Sequence, residues 1–263
     1  MFLVRRFGRP VAARLLAAGV LAAAFVTPAT ASAGVFDSLS GWWPMYEGGG
    51  QTIHDLSGNG NHGQLGSSAG ADDNDPTWIR GWLFGSGLRF DGNDFVRVPN
   101  SPELSSQQLT VSAWVRAAQT PGTWRYVLGK GAANCDSSSY GLYTGYHGGL
   151  SFYVKDTTNT MRESGVIWPA SIWNGKWHHV AGTFDGGTAK IFLDGKLVAN
   201  PSGGSAPIDY NLPTTGDTGI GGFLGTCDLY YTGDIDDVAV FSTALPVDQI
   251  WSKISALFLK PLR

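Results

Sequence analysis

The chain has 263 residues, of which 43% are apolar, 12% aromatic and 15% charged, which excludes both a charge-rich disordered chain and an apolar membrane bundle. The formal charge of −3 hides an asymmetry: Arg5, Arg6, Arg9 and Arg14 lie in the first 33 residues, which hold no acid, and the remaining 230 carry 14 basic and 21 acidic groups, a net charge of −7. Such a balance excludes a general nucleic-acid or anionic-membrane binder, which needs a basic surface.

The first segment reads as an export signal: the four arginines, an apolar run from Leu15 to Val26, then Ala31, Ser32 and Ala33 with small side chains at the cleavage positions. The run is about a dozen residues, short of the ~20 needed to span a bilayer. Residues 1–33 are therefore expected to be a signal peptide cleaved before Gly34, exported by the general or the twin-arginine route, and the mature protein to be secreted, with no membrane span. Two cysteines follow, Cys135 and Cys227. In an oxidising compartment an even count points to a disulfide, the alternative being two buried free thiols.

The chain's 37 glycines and 13 prolines, with ten tryptophans, favour short strands and tight turns. No linker, repeat or charge block interrupts residues 34–263, so one domain is expected. Strand patterns run over Gly41 to Tyr46, Gly87 to Phe90, Phe95 to Pro99, Leu109 to Arg116, Arg125 to Lys130, Leu150 to Lys155 and Ser164 to Trp168. Gly66 to Pro76 reads as a surface loop. From Trp177 to Asn200, Asp185-Gly186-Gly187 and Asp194-Gly195 separate strand-like runs, which predicts two successive hairpins. A last strand over Tyr231 to Phe241 precedes a short helix from Pro246 to about Leu257.

Five segments, in this order, resemble the laminin-G-like jelly rolls of the concanavalin A-like lectin and glucanase superfamily: WWPMYEGGGQTIHDLSGNGNHGQL, GSGLRFDGNDFVRVP, LTVSAWVRA, the Trp177 to Val198 hairpins and YTGDIDDVAVFSTALPVDQI. The resemblance covers nearly all of residues 34–263. It implies an all-β, two-sheet antiparallel jelly-roll sandwich, an extracellular binding role, commonly for carbohydrate, and commonly calcium.

Asp55 to Gly63 packs a carboxylate, the amides of Asn59 and Asn61 and three glycines into nine residues, an oxygen-rich loop able to bend around a hard cation. Strand alternation puts Asp236 on one face with Val238 and Val240, an inward carboxylate that needs a partner. Asp55, Asn59, Asn61 and Asp236 are thus the expected structural calcium ligands. In the alternative, Asp55 and Asp236 accept backbone N–H bonds.

Glucanases on this fold carry an E-x-D-x-E-like strand, and jelly-roll lyases an R-x-E-x-R-like one; neither is present. Past residue 33 the glutamates are Glu47, Glu103 and Glu163, none spaced to pair with another acid, and Arg162-Glu163 is the nearest approach to a lyase strand. No nucleophile-elbow, zinc-protease or phosphate-loop motif occurs. Sugar rings stack on aromatic faces, and their hydroxyls need polar partners. Ser137 to Gly149 supplies Tyr140, Tyr143, Tyr146 and His147, and a Cys135–Cys227 bridge would add Tyr230 and Tyr231. These six are the expected ligand-binding residues. The expected function is non-catalytic binding of an extracellular or cell-wall polysaccharide or glycan. A glycan-active hydrolase or lyase and a module binding extracellular protein are the alternatives.

Overall fold

Leu109, Val111, Ala113 and Val115 alternate with Thr110, Ser112, Trp114 and Arg116, and this period of two becomes the strand Leu109–Arg116 in the computed structural model, which describes residues 35–82, 85–198, 202–213, 216–246 and 248–249. The first four side chains enter the main core, while the others face the opposite way. Two antiparallel sheets pack their apolar faces together as a sandwich.

In one sheet the order is Lys196–Leu197, Thr188–Leu193, His178–Phe184, Leu109–Arg116, Thr232–Phe241, Gly87–Asp91 and Thr77–Ile79. Leu39–Trp43 also pairs with Thr232–Phe241, and Ser202–Gly203 with Thr188–Leu193. The other sheet runs Met161–Glu163, Leu150–Lys155, Tyr140–Thr144, Tyr126–Lys130, Thr218–Ile220, Val96–Val98, Gly63–Leu65 and Thr52–Ile53. One position shows how closely the layers approach. A Cβ on Gly182 would lie 2.1 Å from Cγ of Phe152, which reaches across from the opposite sheet, so only glycine fits beneath that ring.

The predicted hairpins form as His178–Phe184, Thr188–Leu193 and Lys196–Leu197. Asp194 and Gly195 have φ of 48° and 75°, the left-handed pair that a two-residue hairpin turn requires. Other expectations are corrected. Ser164 to Trp168 is no strand; only Ile167 bridges to Leu150, and the edge strand is Met161–Glu163. The glycine- and serine-rich stretch after Cys135 contains a strand, Tyr140–Thr144, because its neighbours supply the burial its composition does not advertise. Gly66 to Pro76 is a loop, with the carboxylates of Asp72 and Asp75 accepting from the amides of Ser67, Asn74 and Asp72 itself. The predicted signal peptide and nearly all of the predicted C-terminal helix lie outside the described residues. Among those described, Pro169–Ile172 is one short α-helix, and no helix is long and apolar enough to cross a membrane.

Candidate functional site

The outer face of the eight-stranded sheet carries a second, aromatic cluster. In Tyr140–Thr144 the side chains of Tyr140 and Leu142 point into the sandwich, so Tyr143 points out, and in Leu150–Lys155 the outward residues include Ser151 and Tyr153. Tyr126 joins Tyr143 and Tyr153 there with Phe223. Small residues make room for them: a Cβ on Gly141 would lie 2.8 Å from the Tyr153 ring and 2.9 Å from Tyr126, and one on Gly129 2.8 Å from Tyr126. The Tyr126 and Tyr153 hydroxyls are 2.7 Å apart, the Ser138 amide donates to Tyr153 Oη at 2.7 Å, and Tyr143 donates to Glu163 Oε1 at 2.9 Å. Burial pushes the phenols of Tyr126 and Tyr143 well above their ordinary value, and that of Tyr153 up to about 12. All three therefore stay neutral as hydrogen-bonding groups at ordinary pH.

Trp124 caps this cluster. Its φ is 61°, a left-handed conformation that a bulky side chain rarely adopts. The conformation is held by Thr144, whose carbonyl accepts from the Trp124 amide at 2.7 Å and whose hydroxyl accepts from the Arg125 amide at 2.8 Å. The indole is thereby laid over Tyr143, centroids 5.9 Å apart and planes 27° from parallel, with 42% of the residue exposed. Strain kept at a bulky exposed residue marks a site where the surroundings pay for position.

Beside the indole opens a pocket of about 370 Å³, floored by Tyr126 and Tyr143 and walled by Met161, Leu229, Cys135 and Asp136. The Cys135–Cys227 disulfide forms as expected, with Cα atoms 5.3 Å apart, and pins the Cys135 loop beside Leu229. At the rim Lys155 Nζ donates to Asp136 Oδ2 at 3.0 Å. Hydrogen bonds from Lys155 and the Ser137 hydroxyl hold the Asp136 carboxyl below its ordinary range.

Of the six expected ligand residues, the structure brings Tyr143, Tyr146 and His147 to this place. Tyr140 and Tyr231 are corrected: both are wholly buried in the main core, Tyr140 with its hydroxyl on the Leu104 carbonyl. Tyr230 bridges Tyr126 through its backbone, but its half-buried ring stacks on Phe95 at 6.0 Å and does not line the pocket. The ligand set omitted Trp124, Tyr126, Asp136, Met161 and Leu229. Alternation from Leu142 identifies Tyr143 as outward, but nothing in the sequence announces the left-handed turn at Trp124.

The proposed calcium residues do not fit that ion as a set. Asp55 Oδ1 accepts from the amides of Trp42 and Ser57 at 2.9 and 2.8 Å, and Oδ2 from the Ser57 hydroxyl and the Asn61 amide, both at 2.9 Å. Asn59 and Asn61 turn their amide nitrogens onto the Ser40 carbonyl. The carboxylate is thus already encircled by hydrogen-bond donors, where a cation would require oxygens. The expected face of Asp236 is also corrected. A β-bulge follows it: Asp236 lies opposite Trp114 and Ala239 opposite Ser112, with Asp237 at φ 48° between. The extra residue reverses the alternation, so Asp236 points away from the core of Val238 and Val240 and accepts from the Trp82 amide at 2.7 Å. Asp237, buried, accepts from Trp42 Nε1 at 2.6 Å, and burial pushes its carboxyl up to about 8. Among the described residues no three or more His, Cys, Asp or Glu side chains gather in a metal-holding group.

The family model Laminin_G_3, described as the concanavalin A-like lectin/glucanases superfamily, matches residues 90–251. That is more than half of the chain, and the chain belongs to this family. No protein of curated function matches the sequence. Among solved structures, domain 4 of AbnA, a GH43 extracellular arabinanase from Geobacillus stearothermophilus in complex with arabinotriose, superposes with a TM-score of 0.64 at 18% identity, over 82% of this chain and 98% of that one. The binding domain of Paraclostridial Mosquitocidal Protein 1 gives 0.61 at 14%, and the receptor binding domain of botulinum neurotoxin mosaic serotype C/D 0.61 at 15%, each over 85% of this chain and 52% of the other. The chain thus spans about half the length of these toxin domains. At such identities the likeness is one of fold; the two toxin neighbours are binding domains, and the AbnA domain is in complex with arabinotriose.

Proposed function

We propose that the protein is a secreted, non-catalytic module that binds neutral polysaccharide through the Trp124–Tyr143 pocket. The observation that carries this reading is the exposed indole of Trp124, fixed at positive φ over Tyr143 beside an apolar pocket with polar groups at its rim. An aromatic platform offers its face to the C–H side of a sugar ring, while Asp136 and backbone groups at the rim meet its hydroxyls. The disulfide supports an oxidising location. The arabinotriose held by the AbnA domain supports the carbohydrate class.

The electrostatics of the pocket favour binding over hydrolysis. A glycosidase acid needs a carboxyl kept protonated near neutral pH, whereas Lys155 and Ser137 hold Asp136 in its ionised form. The aromatic floor is neutral and supplies no base. Calcium has no part in this reading, because Asp55 already serves as the acceptor that ties its loop to the Leu39–Trp43 strand.

Affinity electrophoresis of the protein through gels cast with arabinan, xylan, amylose or mixed-linkage glucan tests the proposal, with polymer length measured after incubation. The expected result is retardation by at least one polymer, no shortening, and a loss of at least about tenfold in affinity in Trp124→Ala. Shortening of the retained polymer, or retardation that Trp124→Ala leaves intact, overturns it. Indifference to every polymer favours the protein-binding alternative.

A further inference from the structure

The aromatic surface does not end at the pocket. Trp124 meets Tyr146 at 6.3 Å between ring centroids, Tyr146 meets His147 at 5.1 Å, and His147 meets Trp168 at 5.5 Å. Each step is about the advance of one sugar unit along a chain. Tyr146 is 73% exposed and Trp168 59%. Isolated exposed aromatics are ordinary, but of the seven large hydrophobic side chains exposed among the described residues, Trp124, Tyr146, Trp168 and Met161 all lie in the pocket or on this row.

The row is also held in place. Tyr146 and His147 occupy the hairpin turn between Tyr140–Thr144 and Leu150–Lys155, closed by the Gly145 amide on the Gly149 carbonyl and the Gly148 amide on the Gly145 carbonyl, both at 2.9 Å. From beneath, Trp173 Nε1 and the Thr120 hydroxyl both donate to the Gly148 carbonyl, at 2.7 and 2.9 Å. Trp168 sits at the N-terminal end of the Pro169–Ile172 helix, whose C-terminal neighbour is that same Trp173. A surface fixed before the ligand arrives loses less freedom on binding.

Two features of the row limit what it takes. His147 and the Tyr146 phenol are the only titratable groups on the row itself, and at the pocket the Asp136–Lys155 pair is neutral in sum while Glu163 is engaged by the Tyr143 hydroxyl, so the row offers ring faces rather than a cluster of charge. Successive ring planes are turned by 58°, 82° and 38°, which cannot lie flush against a flat ribbon.

Resting on the carbohydrate reading above, we infer that the row extends the pocket into a lengthwise site for a linear, uncharged polysaccharide with a twisted backbone, one sugar at Trp124 and Tyr143 and at least two more along Tyr146, His147 and Trp168. Calorimetric titration of the protein with α-1,5-linked arabino-oligosaccharides and with cello-oligosaccharides, each of two to six sugars, tests this. In the arabino series affinity is expected to rise at least tenfold between two and five sugars and then level. The cello series shows no such rise. Trp168→Ala removes the gain, while Trp82→Ala, which alters an exposed tryptophan on the other sheet, keeps it. Arabino-oligosaccharides that bind equally at every length, or a gain that survives Trp168→Ala, overturn the extended site and leave the pocket standing. An equal gain in the cello series overturns the twisted-chain selectivity. Failure of both series to bind overturns the extended site, and the carbohydrate reading falls with it where the gels retain no polymer either.

Discussion

Tyr140 and Tyr143 are three positions apart on one strand, yet one fills the core and the other floors the pocket. Strand alternation decides between them once a single inward neighbour such as Leu142 is known, so this part of the site is legible in the sequence. Trp124 is not, because its position depends on a left-handed backbone held by Thr144, which is within hydrogen-bond distance in space but twenty residues on in sequence. His179 makes a prediction at the same scale. It is buried on the outer face of the other sheet, its ring edge-on to Trp114 at 5.5 Å, with its amide donating to Asp194 Oδ1. Burial lowers its pKa from 6.5 to about 4, against the opposing pull of Asp194. Below pH 6.5 the unfolded chain takes up a proton that the folded chain refuses, so this group leaves stability intact above 6.5 and erodes it as pH falls toward 4. Urea unfolding of His179→Gln and wild type across that window is expected to show the variant gaining on the wild type by about 1.4 kcal/mol per pH unit as pH falls. A difference independent of pH contradicts the burial assignment.

At the scale of elements, hairpins and strands follow from turn chemistry and periodicity, which is why Asp194-Gly195 and Leu109–Arg116 are readable. Bulges escape that logic. One inserted residue at Asp237 turns Asp236 to the outer face, where it accepts from the Trp82 amide instead of facing the core with Val238 and Val240. The Asp55 loop was ambiguous for a different reason: a carboxylate among glycines and asparagines suits a cation and a ring of amides equally well until the donors are placed. Since Asp55 satisfies three backbone amides and one hydroxyl, Asp55→Ala is expected to cost about 3 kcal/mol in chemical denaturation. Calcium or a chelator should leave the wild-type melting temperature unchanged. A calcium-dependent rise in melting temperature that Asp55→Ala abolishes contradicts the clamp and restores the metal site.

Across the whole molecule, the two sheets bury their shared core while the proposed binding surface lies outside it, on the outer face and at the turn end of the eight-stranded sheet. The architecture and the family were legible from five segments in order; the location of the pocket was not, because it is made by residues from five separated stretches of chain. The disulfide joins two of these across 92 positions. Its loss, in Cys135→Ser with Cys227→Ser, is expected to cost about 4–5 kcal/mol by loop-closure entropy and to weaken polysaccharide binding as the Cys135 wall loosens. Full binding in a folded double variant contradicts the wall's role.

The most direct measurement is tryptophan emission during titration with the polysaccharide that the gels retain, in the wild type and in Trp124→Phe. Stacking of a sugar on the half-exposed indole is expected to move wild-type emission to shorter wavelength in a saturable way, and Trp124→Phe to lose that shift. Saturable binding with unchanged emission, or the same shift in Trp124→Phe, would place the ligand elsewhere and contradict the central claim.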